Sequence, residues 1–380
     1  ASKSNLASEL LKITFPYIFF ISLTAFAGGI LNTYKHFAIP AFTPVLLNIS
    51  LIACAIWLAP LMETPIKALA WAVLIAGFVQ LLFQAPFLLK IKKFPRPSLK
   101  SDQDGVRRIL KLMLPILFAV SIVQINLLID TLIASFLTTG SISWLYFSDR
   151  LVEFPLGVFG IALATAVLPN LSEKHAQGSS EKFSDTLDWS MRCIFLIALP
   201  ATIGLAMLAA PLLITLFNYK EFSILDVLMT SYSLKAYAIG LPAFVLIKVL
   251  SAGFFSRQDT KTPVKIGLIA VVANIVLNIL LVWLFNYINL AHVGLALATS
   301  LSAYLQAFLL FRKLKKIKVY RPRKKWPGFI AKIILAIVVM IGIIMFGVDH
   351  VFVWISWDVF DRILNLMLWV LVSMLSYFSV

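Results

Sequence analysis

The segment SWLYFSDRLVEFP, Ser143 to Pro155, sets Asp149, Arg150 and Glu153 close together in a stretch otherwise apolar enough to cross a bilayer. At about 100° per residue, Tyr146, Asp149, Arg150, Glu153 and Gly157 fall in one sector of a helix, with Phe147, Leu151 and Phe154 expected opposite. Arg150 and Glu153 are spaced i,i+3 and Asp149 and Glu153 i,i+4, so the carboxylates can hold the guanidinium. Two readings follow. One is a self-neutralising polar knot that fixes helix packing. In the other, Arg150 faces a hydrated cavity and binds an anion, because its planar fork matches phosphate oxygens two at a time. Each charge at bilayer depth costs roughly 2.5–3.5 kcal/mol on insertion-type scales, so this face must meet either protein or water.

A second set of polar residues lies in other apolar stretches. Asp130, in QINLLIDTL, follows Gln124 and Asn126, and Asn274 and Asn278 sit i,i+4 in VVANIVLNIL. Asp130 reads as part of a water-lined helix face or as a cation ligand. The asparagine pair reads as hydrogen-bonding glue between helices. His36, His175, His292 and His350 are scattered over different loops, and Cys54 and Cys193 fall within apolar stretches, so no metal-ligand or nucleophile spacing emerges. The expectation is a protein that is not an enzyme and holds no firm metal site.

The elements that must carry these groups are membrane helices. Of 380 residues, 61% are hydrophobic and 13% charged, far more apolar than a soluble domain. Runs long enough to cross roughly 30 Å of hydrocarbon, about 20 helical residues each, recur along the chain. Eleven spans are expected, near 12–31, 40–60, 68–89, 112–136, 142–169, 190–217, 229–255, 264–286, 290–311, 327–347 and 361–380. Period-2 alternation is absent, which excludes a β-barrel. The formal charge of +16 would suggest nucleic acid in a soluble chain, but its distribution instead gives topology. Counting residues within a few positions of the span ends, the odd-numbered loops carry 24 Lys and Arg and the even-numbered loops 3. By the positive-inside rule, the loops near 32–39, 90–111, 170–189, 256–263 and 312–326 are cytoplasmic. The two densest clusters, Lys90–Lys111 and Arg312–Lys325, also lie where anionic head groups would meet them.

An internal repeat organises these spans. Residues 10–93 and about 233–316 share an order of features: LLK and a proline-containing span, AGGILN against SAGFFS, then Pro40 against Pro263 opening the next span, and Gln80 against Gln306 in the third. Duplicated halves of this kind are a transporter signature, with the substrate path expected in a cavity between lobes. If spans one to three repeat as seven to nine, spans four to six are the copy of three spans expected ahead of Ala1. The expected domains are 1–93 (the rest of an N-terminal lobe), 94–111 (a basic cytoplasmic linker), 112–316 (a six-span C-terminal lobe) and 317–380 (a final pair).

The strings LLKITFPYIFFISL, IPAFTPVLLNIS, QINLLIDTLIASFL, GSISWLYFSDRLVEFPLGVFGIALAT and GFFSRQDTKTPVKI resemble the MurJ lipid II flippases of the multidrug/oligosaccharidyl-lipid/polysaccharide exporter superfamily. The resemblance covers essentially the whole chain. It implies an all-α polytopic fold of two six-span lobes plus a final pair, here lacking the first three spans, in the bacterial cytoplasmic (inner) membrane. It further implies alternating-access transport, from inner to outer leaflet, of lipid II, the undecaprenyl-pyrophosphate-linked disaccharide pentapeptide used to build peptidoglycan. Arg150 is then a cavity arginine flanked by Asp149 and Glu153, and the final pair extends the cavity into a groove for the polyprenyl tail. The family's other cavity arginines belong to its first two spans, so this stretch alone is not expected to transport. Asp130, Asn274 and Asn278 match the placement of a sodium site in some members, although an amide stands at Asn278 where a carboxylate is expected. No cofactor is implied beyond a dependence on a monovalent cation or the membrane potential. The implied partners are lipid II, membrane lipids and wall-synthesis proteins, without nucleic acid. The competing functions are flipping of another polyprenyl-phosphate-linked oligosaccharide, cation-coupled drug export, and a non-transporting role in a wall-synthesis complex. Arg150 disfavours drug export, since small cationic substrates suit an acidic cavity.

Overall fold

Helix breakers set where the long apolar runs divide. A computed structural model describes residues 2–34, 36–92, 113, 121, 124–323, 326–348 and 351–380, and no strand occurs among them. The chain divides into two compact units, 1–106 and 107–380. In the first, α1 (Ser2–Thr14) and α2 (Tyr17–Thr33) part at Pro16, α3 (Ala38–Ala53) runs into a π-turn at Cys54–Leu58 and a 3-10 turn at Ala59–Leu61, and α4 (Ile66–Lys90) packs against all three helices. Ala27, Leu31 and Leu88 form a small apolar core. The side-chain amides of Gln80 and Gln84 donate to the Thr43 carbonyl at 3.1 Å and the Thr43 hydroxyl at 3.0 Å.

The second unit comprises α5 (Gln124–Ser135), α6 (Ser141–Pro155), α7 (Ala162–Ala176), α8 (Ser180–Met207), α9 (Ala209–Phe217), α10 (Ile224–Phe255), α11 (Lys261–Asn286), α12 (Ala291–Lys316), α13 (Trp326–Gly347), α14 (Val351–Ser356) and α15 (Val359–Phe378). Helix α10 is its axis, touching α6, α7, α8, α9 and α12. Its start is fixed by a capping box: Ser223 Oγ accepts from Asp226 N, and the Asp226 carboxylate accepts from Ser223 N at 2.9 Å, satisfying donors that the helix end would otherwise leave open. Helices α11 and α12 meet closely at Gly294, where a Cβ would lie 2.7 Å from the Leu281 carbonyl oxygen. Only glycine lets the backbones approach that far.

Ten helices among the described residues are long and apolar enough to cross a membrane, and α5 is a shorter apolar helix. The first part of the expected span 112–136, and the linker 94–111, lie outside the described residues. The expected span 190–217 is placed differently. Helix α8 begins at Ser180 and ends at Met207, and a separate α9 follows. Pro211 explains the break, because it has no N–H for the Met207 carbonyl and its ring crowds that group. Upstream, Phe183 and Leu187 are buried while Lys182 is exposed, so an amphipathic overhang carries α8 past the apolar stretch. The segment read as loop 170–189 therefore consists of the ends of α7 and α8 around a turn at Gly178.

Helices at the paired positions of the expected repeat make similar contacts. In the first unit α4 packs against both α2 and α3; in the second α12 packs against both α10 and α11. Gln80 bonds α3 at Thr43, and the amide nitrogen of Gln306 lies 3.6 Å from where a Cβ of Gly267 would stand on α11. The final helices dock within the second unit, where Ala336, Met340, Ile344 and Tyr377 cluster with Leu208. Arg362 ties down the segment before α15: its Nη2 donates to the Ile355 carbonyl at 2.8 Å, and its Nε to those of Trp354 and Trp357 at 3.1 and 3.0 Å. A cation at the end of α14 suits the helix dipole.

Candidate functional site

Helix α6 is amphipathic in an unusual sense, since its buried edge is Trp144, Ser148, Val152 and Pro155. Ser148 Oγ donates to the Thr230 carbonyl at 2.9 Å, which locks the edge to α10. On a helical wheel, Tyr146, Asp149, Arg150 and Glu153 lie across from that edge, and all four are exposed. Phe147 and Leu151 flank it, with Phe147 against Phe217 and Phe222 and Leu151 against the main core. Phe154, expected on the greasy side with them, is 74% exposed. A residue facing lipid and a residue facing protein are equally apolar, so hydrophobicity alone cannot assign it.

Within the polar sector, Arg150 Nη1 donates to Glu153 Oε2 at 2.7 Å, and the guanidinium carbon lies 5.1 Å from the centre of the Tyr146 ring. The two charged side chains are 56% and 51% exposed. An ion pair that open is worth no more than about 1 kcal/mol, so it orients the guanidinium without sealing it. Glu153 also engages only part of a fork of five N–H donors. Directly after this helix, Leu156–Ile161 is a π-turn. Pro155, which cannot donate to the Leu151 carbonyl, explains the irregularity, and π-turns recur at functional positions. Together α6, the π-turn and α7 make a 36-residue span, about 54 Å at 1.5 Å per residue, with Arg150 about 13 Å from its start.

The second expected group is brought together in space. Asn278 Nδ2 donates to Asp130 Oδ1 at 2.6 Å and to Asn274 Oδ1 at 3.0 Å, joining α5 to α11 across 148 residues of sequence. Asn274 reaches Thr299 and Ser302 of α12 at 3.4 and 3.5 Å, and Asn126 approaches Asp130 at 3.5 Å. The carbonyl oxygens of Asn278 and Asn126 are buried without a donor. One carboxylate and several neutral oxygens converge here, with orphaned acceptors among them. That donor set fits a hard monovalent cation better than a transition metal. Among the described residues, no three His, Cys, Asp or Glu side chains gather as metal ligands.

Sequence reasoning passed over one buried centre. Asp188 accepts from Tyr320 Oη and Trp326 Nε1, each at 2.7 Å to Oδ1, and from Arg192 Nε at 2.8 Å to Oδ2. Arg192 also lies over the Trp326 ring at 5.1 Å. This network fastens α8 to the connection between α12 and α13. The i,i+4 spacing of Asp188 and Arg192 was the available signal, but the Tyr and Trp partners lie more than 130 residues away.

Ten long apolar helices among the described residues, one of them carrying an exposed guanidinium, make a polytopic all-α membrane protein. At the level of fold, an inward-facing multidrug resistance MATE family transporter of the MOP superfamily superposes with a TM-score of 0.68, at 19% identity, over 84% of this chain and 72% of its own. The family model described as lipid II flippase MurJ matches residues 1–367, and the chain belongs to that family. A probable lipid II flippase MurJ of Vibrio cholerae is 50% identical over 366 residues, covering 96% of this chain and 69% of the relative. Its counterpart in Haemophilus influenzae is 48% identical over 369 residues, covering 96% and 71%. A solved lipid II flippase MurJ in an inward closed conformation superposes with a TM-score of 0.79 at 27% identity, over all of this chain and 76% of that one. The family is one of transporters, not enzymes.

Proposed function

We propose that this protein moves lipid II from the inner to the outer leaflet of the bacterial cytoplasmic membrane by alternating access, with Arg150 binding the pyrophosphate in a hydrated cavity. The observation that carries this reading is the Arg150 side chain, 56% exposed inside a membrane span and steered by a single carboxylate. A polar knot would require that face to be packed; an anion receptor requires it open. Glu153 and Tyr146 orient the fork, and the Ser148 and Trp144 edge fixes the helix that bears it. A pyrophosphate replaces Glu153 or shares its donor at little cost, because the exposed pair is weak while a bidentate phosphate contact is charge-assisted. Asp149 and Glu153 limit how tightly the anion is held, which suits a group that must also release it. The basic loops lie on the cytoplasmic side. α13 and α15 accompany the prenyl tail. With labelled lipid II placed in one leaflet of a proteoliposome, the full-length protein is expected to expose it on the other; label that stays where it was placed overturns the proposal.

We assign the Asp130 cluster as a monovalent cation site, with Asp130, Asn278 and Asn126 supplying oxygens and Asn274 holding Asn278 in place. Bound sodium would neutralise Asp130 and link α5 to α11. Binding to the folded state alone at a hundred times Kd stabilises by about 2.7 kcal/mol. Sodium chloride is therefore expected to raise the melting temperature of the detergent-solubilised protein over choline chloride at equal ionic strength, and Asp130→Ala to remove that difference. An equal sodium effect in wild type and variant contradicts the assignment.

A further inference from the structure

At the end of the second unit that carries the basic loops, three connections distant in sequence converge on a cavity of about 260 Å³. Lys174 and His175 reach it from the end of α7, Ser179 and Ser180 from the turn into α8, Arg257 from the connection after α10, and Lys318 from the residues after α12. Three permanent cations from three separate elements thus border one concave space, with two hydroxyls. The first turn of α8 adds to this field: Ser179, at its N-cap, makes no capping side-chain bond, and the partial positive end of a 28-residue helix opens on the same side. The neighbouring acids stay off the cavity wall, although Glu173 pairs loosely with Lys174 and Asp259 lies within electrostatic reach of Arg257. Glu173 accepts from Gln177 at 2.8 Å and lies 3.7 Å from Lys174. Asp259 accepts from the Thr262 N–H at 3.0 Å, and Glu181 is exposed on α8. Among the described residues no acidic side chain lines the cavity, and its remaining wall includes Phe183, Ile317 and Val319.

We propose that this cavity binds a phosphate group, carried either by an anionic lipid head group or by free phosphate. A tetrahedral anion with several acceptor oxygens can take donors from Arg257, Lys174, Lys318 and the two serines at once, where a carboxylate offers fewer acceptors. The apolar wall at the end of membrane helices accommodates the first carbons of a lipid. The site is separate from Arg150, since Lys174 lies roughly 35 Å further along the same helical span. It also gives a local role to charges that topology alone leaves unspecific: Arg257 and Lys318 line a cavity, while Lys182 on the same end of the molecule does not.

The test uses the full-length protein in detergent micelles doped with phosphatidylglycerol, with bound lipid counted by native mass spectrometry. The expected result is one retained phosphatidylglycerol whose apparent affinity falls roughly tenfold or more in Arg257→Gln/Lys318→Gln, the loss expected for charge-assisted contacts. Lys182→Gln, which removes a charge from the same surface, is expected to bind as wild type. A parallel titration with sodium phosphate separates the sources. Displacement of the lipid at millimolar phosphate supports a soluble ligand, and binding of lipid undisturbed by phosphate supports a head group. Equal binding by wild type and the double variant, an equal loss in Lys182→Gln, or binding of neither probe overturns the proposal. Should the double variant melt earlier than wild type, Lys174→Gln carries the same test from another wall of the cavity.

Discussion

Arg150→Ala in the full-length protein is expected to abolish growth of cells that depend on it for lipid II transport, while the variant still inserts into the membrane at wild-type abundance. The size of the effect follows from what the substitution leaves behind. It removes the charge-assisted fork, a loss of roughly 1.5–3 kcal/mol for hydrogen bonds between charged groups in a hydrated site, or about ten- to 150-fold in binding. It also leaves Asp149 and Glu153 on the same face without their cation, so the sector then repels a pyrophosphate. Folding is spared because the buried edge of α6, held by Ser148 on α10, is untouched. Arg150→Lys keeps the charge but not the two-point geometry, and an intermediate defect is expected. Plating efficiency with immunoblotting of membranes checks both; normal growth on Arg150→Ala contradicts the assigned role.

The second large effect concerns stability. Asp188→Ala removes the carboxylate that Tyr320, Trp326 and Arg192 share and leaves a guanidinium that is 22% exposed without its partner. Breaking a buried pair from one side costs about 3–5 kcal/mol, and the partial exposure of Arg192 places this case near 3. Tyr320→Phe, which deletes one neutral donor, is expected to cost about 1 kcal/mol. Thermal unfolding in detergent checks the order, Asp188→Ala well below Tyr320→Phe and both below wild type. Because Asp188 secures the approach to α13, limited proteolysis near 320–326 is expected to accelerate in the Asp188 variant. A melting temperature equal to wild type would show that the network adds nothing.

These two centres also mark what could be read from the sequence. The charged sector of α6 was legible because its residues are neighbours in one helix, where spacing fixes the face they share. Spacing could not say what surrounds Phe154, which shares the helix with the site and is 74% exposed, because spacing orders side chains without saying which neighbours surround them. Asp130, Asn274 and Asn278 could be singled out as costly polar groups in apolar runs, yet their meeting across 148 residues is a property of how α5 and α11 pack. Asp188 stayed hidden because two of its three partners, Tyr320 and Trp326, lie beyond any local window. Helix boundaries were least legible where amphipathic overhangs extend past the hydrocarbon. Apolar content defines a span, but hydrogen bonding continues α8 back to Ser180 until the turn at Gly178 ends it.

The repeat bears on mechanism as well as on fold. Helix α4 packs on the earlier helices of its unit and α12 on α10 and α11 of its own, so each unit gathers its helices about one. Within the second unit, the site on α6 and the cluster on α5 and α11 both attach to these helices. Cation occupancy at Asp130 would then bias the unit that carries Arg150 without touching the substrate, as coupling requires.

The most direct measurement follows fluorescent lipid II, placed in one leaflet of proteoliposomes containing the full-length protein, by its accessibility to a quencher that cannot cross the bilayer. With the wild-type protein the protected fraction is expected to become accessible within the assay, and with Arg150→Ala to stay at the level of empty liposomes. Transfer by Arg150→Ala at the wild-type rate, or no transfer by the wild-type protein, would contradict an account in which this guanidinium carries the pyrophosphate across.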